Sequence, residues 1–210
     1  MKIIKLAPVE KTNNKFCVIF EDGTELKVST AQIADFGLYS GLEIPDDEYD
    51  RLMRGLKLVS SKSRAIRILG SRNLSSREIG KRLVSKGESA EDAQETVKWL
   101  ENIGAVNDAE YALQIVKHYC GKGYGAARIR DELFRRGIPG ELWDEALSAL
   151  DTPDGVDNVE EATNSFLEKK LRGSDDKDDL RRAADALIRR GFSYEEAKAA
   201  VRRYADEIRS

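Results

Sequence analysis

Residues 128–143 read RIRDELFRRGIPGELW. Ile129 and Leu133 stand four apart, on one face of a helix, and Gly137 follows four residues after Leu133. A glycine in that place suits the left-handed C′ position that stops a helix. Pro139 suits the start of the next one. The stretch is therefore a helix, a glycine stop and a second helix.

The same arrangement recurs around Gly87 and Gly191. Four residues before the three glycines stand Leu83, Leu133 and Leu187, and eight before stand Ile79, Ile129 and Ala183. Two after stand Ser89, Pro139 and Ser193, all helix-start residues. Four after stand Glu91, Glu141 and Glu195; ten after, Val97, Leu147 and Val201; thirteen after, Leu100, Leu150 and Tyr204. The spacing is 50 and then 54 residues. Ser75 with Glu78, Ser89 with Asp92, and Ser193 with Glu196 have the spacing of capping boxes. Upstream of each pair lies one more amphipathic helix, with inward residues Ile66 and Leu69, then Ile115 and Tyr119, then Ala162 and Phe166. Each unit is thus three helices with little core, so neighbours are expected to pack on each other.

Residues 1–28 read as strands. Lys2–Leu6 forms a first strand; Phe16, Val18 and Phe20 alternate in a second; Leu26 and Val28 alternate in a third. Asp22-Gly23 predicts a two-residue hairpin turn. Three short strands need a cover, and the short helix begun by Thr30, with Ile33 and Phe36 inward, supplies one. Pro45 opens the helical part, and Asp47–Ser71 is one long helix or two with a break near Ser60-Ser61. Asp151–Asp157, with Pro153 and Gly155, reads as a linker, and the polar Gly173–Asp179 as an exposed loop. The expected fold is mainly α: tandem three-helix repeats in an elongated array with a small strand-rich N-terminal module. The modules run over 1–45, 46–106, 107–151 and 157–210.

Of 210 residues, 40% are hydrophobic and 35% charged, which suits a thin core under much surface. No apolar run is long enough to cross a bilayer, and Met1–Leu6 lacks the apolar stretch of a signal peptide. Cys17 and Cys120 have no metal-ligand spacing and read as reduced thiols of a cytoplasmic chain. Charge is uneven. Residues 51–150 hold 18 basic and 13 acidic side chains, a net of +5, while residues 1–50 hold 5 and 10 and residues 151–210 hold 12 and 15. The middle is where an anionic partner is met.

Catalysis finds little support in the residues. His118 stands alone on a helix, and no P-loop is present. Gly121-Lys122-Gly123-Tyr124-Gly125 follows no strand and lacks the full phosphate-loop pattern; it reads as a tight helix–helix turn with Gly125 near the next N-cap, displaying Lys122 and Tyr124. The acidic pairs Asp46-Asp47, Asp175-Asp176 and Asp178-Asp179 lack calcium-loop spacing. No catalytic residue, metal site or cofactor is expected. The basic surface is the better candidate: Arg128 and Arg135, seven apart on one outward face with Asp131 between them, and Arg130 beside Phe134. The residues expected to meet a partner are Arg67, Arg72, Lys81, Lys122, Tyr124, Arg128, Arg130 and Arg135.

The run Asn107-Asp108-Ala109-Glu110-Tyr111-Ala112, the turn at 121–125, Arg128-Ile129-Arg130-Asp131-Glu132-Leu133 and Gly137-Ile138 together resemble the central repeat of the RecX regulatory proteins. Ala65, Leu69, Arg72, Ser75, Glu78, Leu83 and Gly87 are similar to that family's first repeat. The resemblance covers residues 60–150 well and the third repeat weakly. It implies tandem three-helix repeats and a non-catalytic protein that lodges in the groove of the RecA–DNA filament; a monomer is expected. Such a protein inhibits the recombinase's ATPase and strand exchange, and limits filament growth. DNA itself, single- or double-stranded, is a second expected contact, and no membrane is. The alternative is a regulator that binds DNA directly through helix-turn-helix-like pairs.

Overall fold

The computed structural model describes residues 1–9, 14–70 and 73–209, apart from the side chains of residues 153 and 154. The chain forms two compact units, Met1–Arg72 with Ile79–Trp99, and Asn73–Glu78 with Leu100–Ser210.

In the first unit an antiparallel sheet has the order β1 (Ile3–Pro8), β2 (Lys15–Phe20), β3 (Glu25–Ser29). The register sets Leu6 opposite Val18 and Val18 opposite Leu26, with an irregularity in β1 between Ile3 and Lys5. The β2–β3 connection has three residues, not the expected two. The Phe20 N–H donates to the Thr24 carbonyl at 3.0 Å, so Glu21, Asp22 and Gly23 form the loop. The reason is Asp22: its carboxylate accepts from both the backbone N–H and the hydroxyl of Thr24, at 2.9 and 2.8 Å.

Helix α1 (Thr30–Asp35) opens with a capping box between Ser29 and Gln32. It covers the sheet only in part. Helix α2 (Asp46–Leu69) also closes it, bringing Leu56 to a core of Ile3, Val18, Phe20, Val28, Leu38 and Ile44. α2 is a single helix. Ser61 does not break it but lies fully buried, accepting a 2.8 Å hydrogen bond from the Thr96 hydroxyl of α4 (Ala90–Asn102). The inward residues at its end are Ala65 and Ile68, whereas the expected Ile66 is 55% exposed.

Helix α3 (Ser76–Ser85) and α4 each have residues in both units. The second unit continues with α5 (Asp108–Cys120) and α6 (Ala126–Arg135). After Pro139 comes not one helix but a 3-10 turn at Gly140–Leu142, the short α7 (Trp143–Leu147), and another 3-10 turn at Ser148–Leu150. Helix α8 (Pro153–Leu171) begins inside the expected linker, because Thr152 caps it by accepting from the Gly155 N–H and Pro153 takes the first helical position. Helices α9 (Lys177–Arg189) and α10 (Tyr194–Arg209) follow.

All three glycine stops are alike. Gly87, Gly137 and Gly191 have φ of +92°, +70° and +93°. In each, the glycine N–H donates three residues back, to Val84, Phe134 or Ile188, at 2.9 Å. The next residue's N–H donates five back, to Leu83, Leu133 or Leu187, at 3.0–3.2 Å. These are the two bonds of a Schellman motif. The three leucines are fully buried, which is why the repeat keeps them four residues before the glycine. Ser75 with Glu78 and Ser193 with Glu196 form complete capping boxes; Ser89 accepts from the Asp92 N–H at 3.0 Å.

Candidate partner-binding surface

Helix α6 carries the densest part of the expected surface. Ile129 and Leu133 are fully buried beside Ala112, Ile115 and Val116 of α5 and Leu147 of α7. That fixes the rotation of α6 and turns Arg128, Arg130 and Arg135 outward, where all three are exposed. The start of the helix is held from the third repeat. The N–H groups of Gly125 and Ala127, which have no partner within α6, donate to the carbonyls of Arg190 and Gly191 at 3.0 and 3.1 Å. The end of α6 is held in an equivalent way: the Ser75 hydroxyl donates to the Arg136 carbonyl at 2.5 Å. Ser75 and Gly125 each stand twelve residues before their own repeat's glycine stop. The same joint is therefore used twice in the second unit, once through a hydroxyl and once through a backbone amide.

The buried side of α6 holds a polar network that spacing alone did not disclose. Glu132 is 2% exposed. Its Oε1 accepts from Arg136 Nε at 2.8 Å, and its Oε2 lies 3.0 Å from Arg135 Nη1 as an ion pair without hydrogen-bond alignment. Arg136 Nη1 also donates to the Tyr111 hydroxyl at 2.5 Å. Burial pushes the Glu132 carboxyl up, but hydrogen bonding with Arg136 and Tyr119 and the charges of Arg135 and Arg136 outweigh it and hold it below the usual carboxylate range. Burial, and then Glu132, raise Tyr119. The carboxylate that touches Arg135 is thus Glu132, where the sequence pointed to Asp131. The i to i+4 spacing of Glu132 and Arg136 was the signal available for this pair.

The other expected residues are distributed differently. Lys122 is exposed on the turn before α6, its Nζ 5.9 Å from the Tyr119 ring centre. Tyr124 is not displayed as expected. It is half-buried, with its ring 5.6 Å from that of Tyr119 and under the Arg190 guanidinium at 4.8 Å. Arg190 lies also over Phe166 at 4.4 Å, so Tyr124 serves the joint between repeats. Arg130 approaches Asp144 of α7 only to 3.9 Å. In the first unit Arg67 is exposed on α2, with its Nε 3.4 Å from the Ser63 carbonyl, and Lys81 is exposed on α3. Arg72 lies outside the described residues. Arg64 is spent internally: it donates to the Lys86 carbonyl at 2.5 Å and pairs with Glu88 at 3.2 Å.

A cleft of about 600 Å³ opens in the second unit between α6, α7, α8 and α10. On its rim Arg130 faces Asp144, and Arg203 pairs with Glu160 at 3.3 Å. His118 is exposed on α5, edge-on to Tyr119. No described helix is long and apolar enough to cross a membrane.

Recurrent helix–glycine–helix units, with exposed cations on an α6 held at both ends, define a helical-repeat protein. Comparison with known proteins is specific about which. A family model described as the second three-helix domain of RecX matches residues 107–147. The Regulatory protein RecX of Xanthomonas axonopodis pv. citri is 32% identical over 149 residues, 71% of this chain and 90% of that protein. That of Streptococcus gordonii is 25% identical over 198 residues, covering 94% and 76%. Two crystal structures share the fold: one of regulatory protein RecX, with a TM-score of 0.70, 20% identity and 98% of both chains covered, and one of RecX from Lactobacillus salivarius, with 0.63, 18%, and 70% and 96% covered. The chain belongs to the RecX family of regulatory proteins.

Proposed function

We propose that this chain binds the RecA–DNA filament as a monomer in the cytoplasm and restrains the recombinase without chemistry of its own. Bound along the filament, it slows the ATPase and strand exchange and limits filament growth, and so modulates recombination and DNA repair. Arg67, Arg72, Lys81, Lys122, Arg128, Arg130 and Arg135 supply the basic contacts; Tyr124 supports them by holding the turn that bears Lys122. The observation that carries the reading is α6. A helix docked at both ends presents Arg128 and Arg130 with little internal neutralisation, on a chain of this family. Several repeats engaging several subunits at once raise avidity without any single strong site.

A second reading, direct binding to DNA, draws on the net charge of +5 over residues 51–150. It is the weaker one, because Arg136 is turned onto Glu132 and Arg64 onto Glu88, and 13 acidic side chains are interleaved with the 18 basic ones. Fluorescence anisotropy of the labelled chain against RecA–DNA filaments and against naked single- and double-stranded DNA separates the two. The filament reading predicts tight binding to the filament alone. The DNA reading predicts tight binding to naked DNA with log Kd rising by about 0.9 per phosphate contact per decade of salt.

A further inference from the structure

Each repeat exposes one large apolar residue at the same place. Val84, Phe134 and Ile188 stand three residues before Gly87, Gly137 and Gly191, next to the fully buried leucine, and are 48%, 67% and 38% exposed. Ten large apolar side chains are this exposed among the described residues, and three share one repeat register. The backbone carbonyls of these three residues close the Schellman turns, so the last helical turn that bears them is fixed. Their side chains are not needed for that bond. Phe134 is 67% exposed and stands at right angles to the Trp143 ring, with ring centres 6.5 Å apart.

Cations accompany the apolar residues. Lys86, Arg135 and Arg189 are exposed within two residues of them, and Lys81 lies one turn before Val84. Among the described residues Lys81, Lys86 and Arg189 make no ion pair. Their charge remains for a partner. Val84 and Ile188 have unpaired cations beside them, while the Arg135 next to Phe134 is exposed but pairs with Glu132. Such apolar side chains with neighbouring cations fit a protein face of apolar residues bordered by carboxylates. Bases of a nucleic acid fit less well: stacking needs a π-face, and two of the three residues are aliphatic.

We infer that Val84, Phe134 and Ile188 are three equivalent apolar anchors, one per repeat. Each seats on the same acid-bordered apolar feature of a partner built from identical subunits. The inference rests on the filament reading and names the contact by which the repeats grip it. Anchoring of this kind concentrates binding in few side chains, and removing one of several linked contacts weakens the whole multiplicatively.

The test uses the full chain and co-sedimentation with RecA–single-stranded-DNA filaments. Val84→Ser, Phe134→Ser and Ile188→Ser are made singly and together, with Phe134→Leu as the conservative variant and thermal melting as the check on folding. Each single serine is expected to weaken filament binding about tenfold, and the triple variant more than about a hundredfold. Melting midpoints should be unchanged and Phe134→Leu should bind nearly normally. A folded triple variant that binds like the unsubstituted chain overturns the anchors while leaving the filament reading standing. An unsubstituted chain that does not co-sediment overturns both. Loss confined to Phe134 variants, Phe134→Leu included, together with weaker binding to naked single-stranded DNA, identifies base stacking and also overturns the proposal.

Discussion

Gly125 lies against Gly191 with no room for a Cβ between them: a methyl group on Gly125 would overlap the Gly191 carbonyl. Two backbone hydrogen bonds close the same contact, and the Arg190 guanidinium lies over Tyr124 beside it. The joint between the second and third repeats is thus made mostly of backbone, and a single carbon atom is enough to disturb it.

Gly125→Ala should therefore destabilise the second unit by about 1–3 kcal/mol, the cost of inserting a methyl group that packed atoms must move to accept. Gly125 has φ of −81°, so alanine suits the local backbone and the cost comes from the overlap. Gly140→Ala is the control, since no atom lies within 4 Å of its added Cβ; it should stay within about 0.5 kcal/mol. Urea denaturation of both variants measures the difference.

Leu133→Ala removes a fully buried side chain from the packing among α5, α6 and α7. It should cost about 2–5 kcal/mol. Phe134→Ala, one residue along but 67% exposed, should cost far less. Equal losses in denaturant melts would mean that α6 is rotated from the position described.

Glu132 gives the fold a pH dependence whose sign is fixed. Its carboxyl is held below the usual range in the folded chain. Its contribution is therefore present above the unfolded value of about 4.3 and is lost as pH falls through the lower folded value. Glu132→Gln should destabilise the chain at neutral pH by about 3 kcal/mol, toward the lower end for a broken buried pair because Arg136 keeps some solvent. The gap between the variant and the unsubstituted chain should narrow as pH drops below about 4. Melts at pH 7 and pH 3.5 check it; a gap that widened in acid would contradict the assignment.

Arg128→Glu and Arg130→Glu together should weaken inhibition of RecA with little change in stability, because both side chains are exposed and Arg130 reaches Asp144 only at 3.9 Å. Arg135→Glu is different. It sets a carboxylate beside the buried Glu132, so it should lower stability as well, and denaturant melts run with the ATPase assay resolve the two effects.

What the sequence disclosed and what it hid follow from range. The glycine stops, the leucines four before them and the capping boxes depend on bonds closed within five residues, so spacing reveals them. The hairpin loop is one residue longer than its Asp-Gly pair predicts because the carboxylate of Asp22 decides it, a side-chain choice within a legible motif. The break considered at Ser60-Ser61 does not occur because Thr96, thirty-five residues away, supplies Ser61 with a partner. Hydrophobicity alone points Ile66 inward, but the buried position is its neighbour Ala65. The joint at Gly125 and Gly191 spans sixty-six residues and leaves no local trace, since each glycine already has a local reading, as an N-cap and as a helix stop. The basic surface was legible as a set of residues. Which of them are neutralised was not, since Glu132 and Tyr124 look like surface positions until the packing of α5 on α6 is known.

Restraint of a recombinase by a surface, with no chemistry of its own, is tested most directly by RecA's ATPase on single-stranded DNA, titrated with this chain. The account predicts a progressive fall in turnover at micromolar or lower concentrations, with no ATP hydrolysis by the chain alone. An unchanged rate, with the chain folded by circular dichroism and present in excess over RecA, would contradict it.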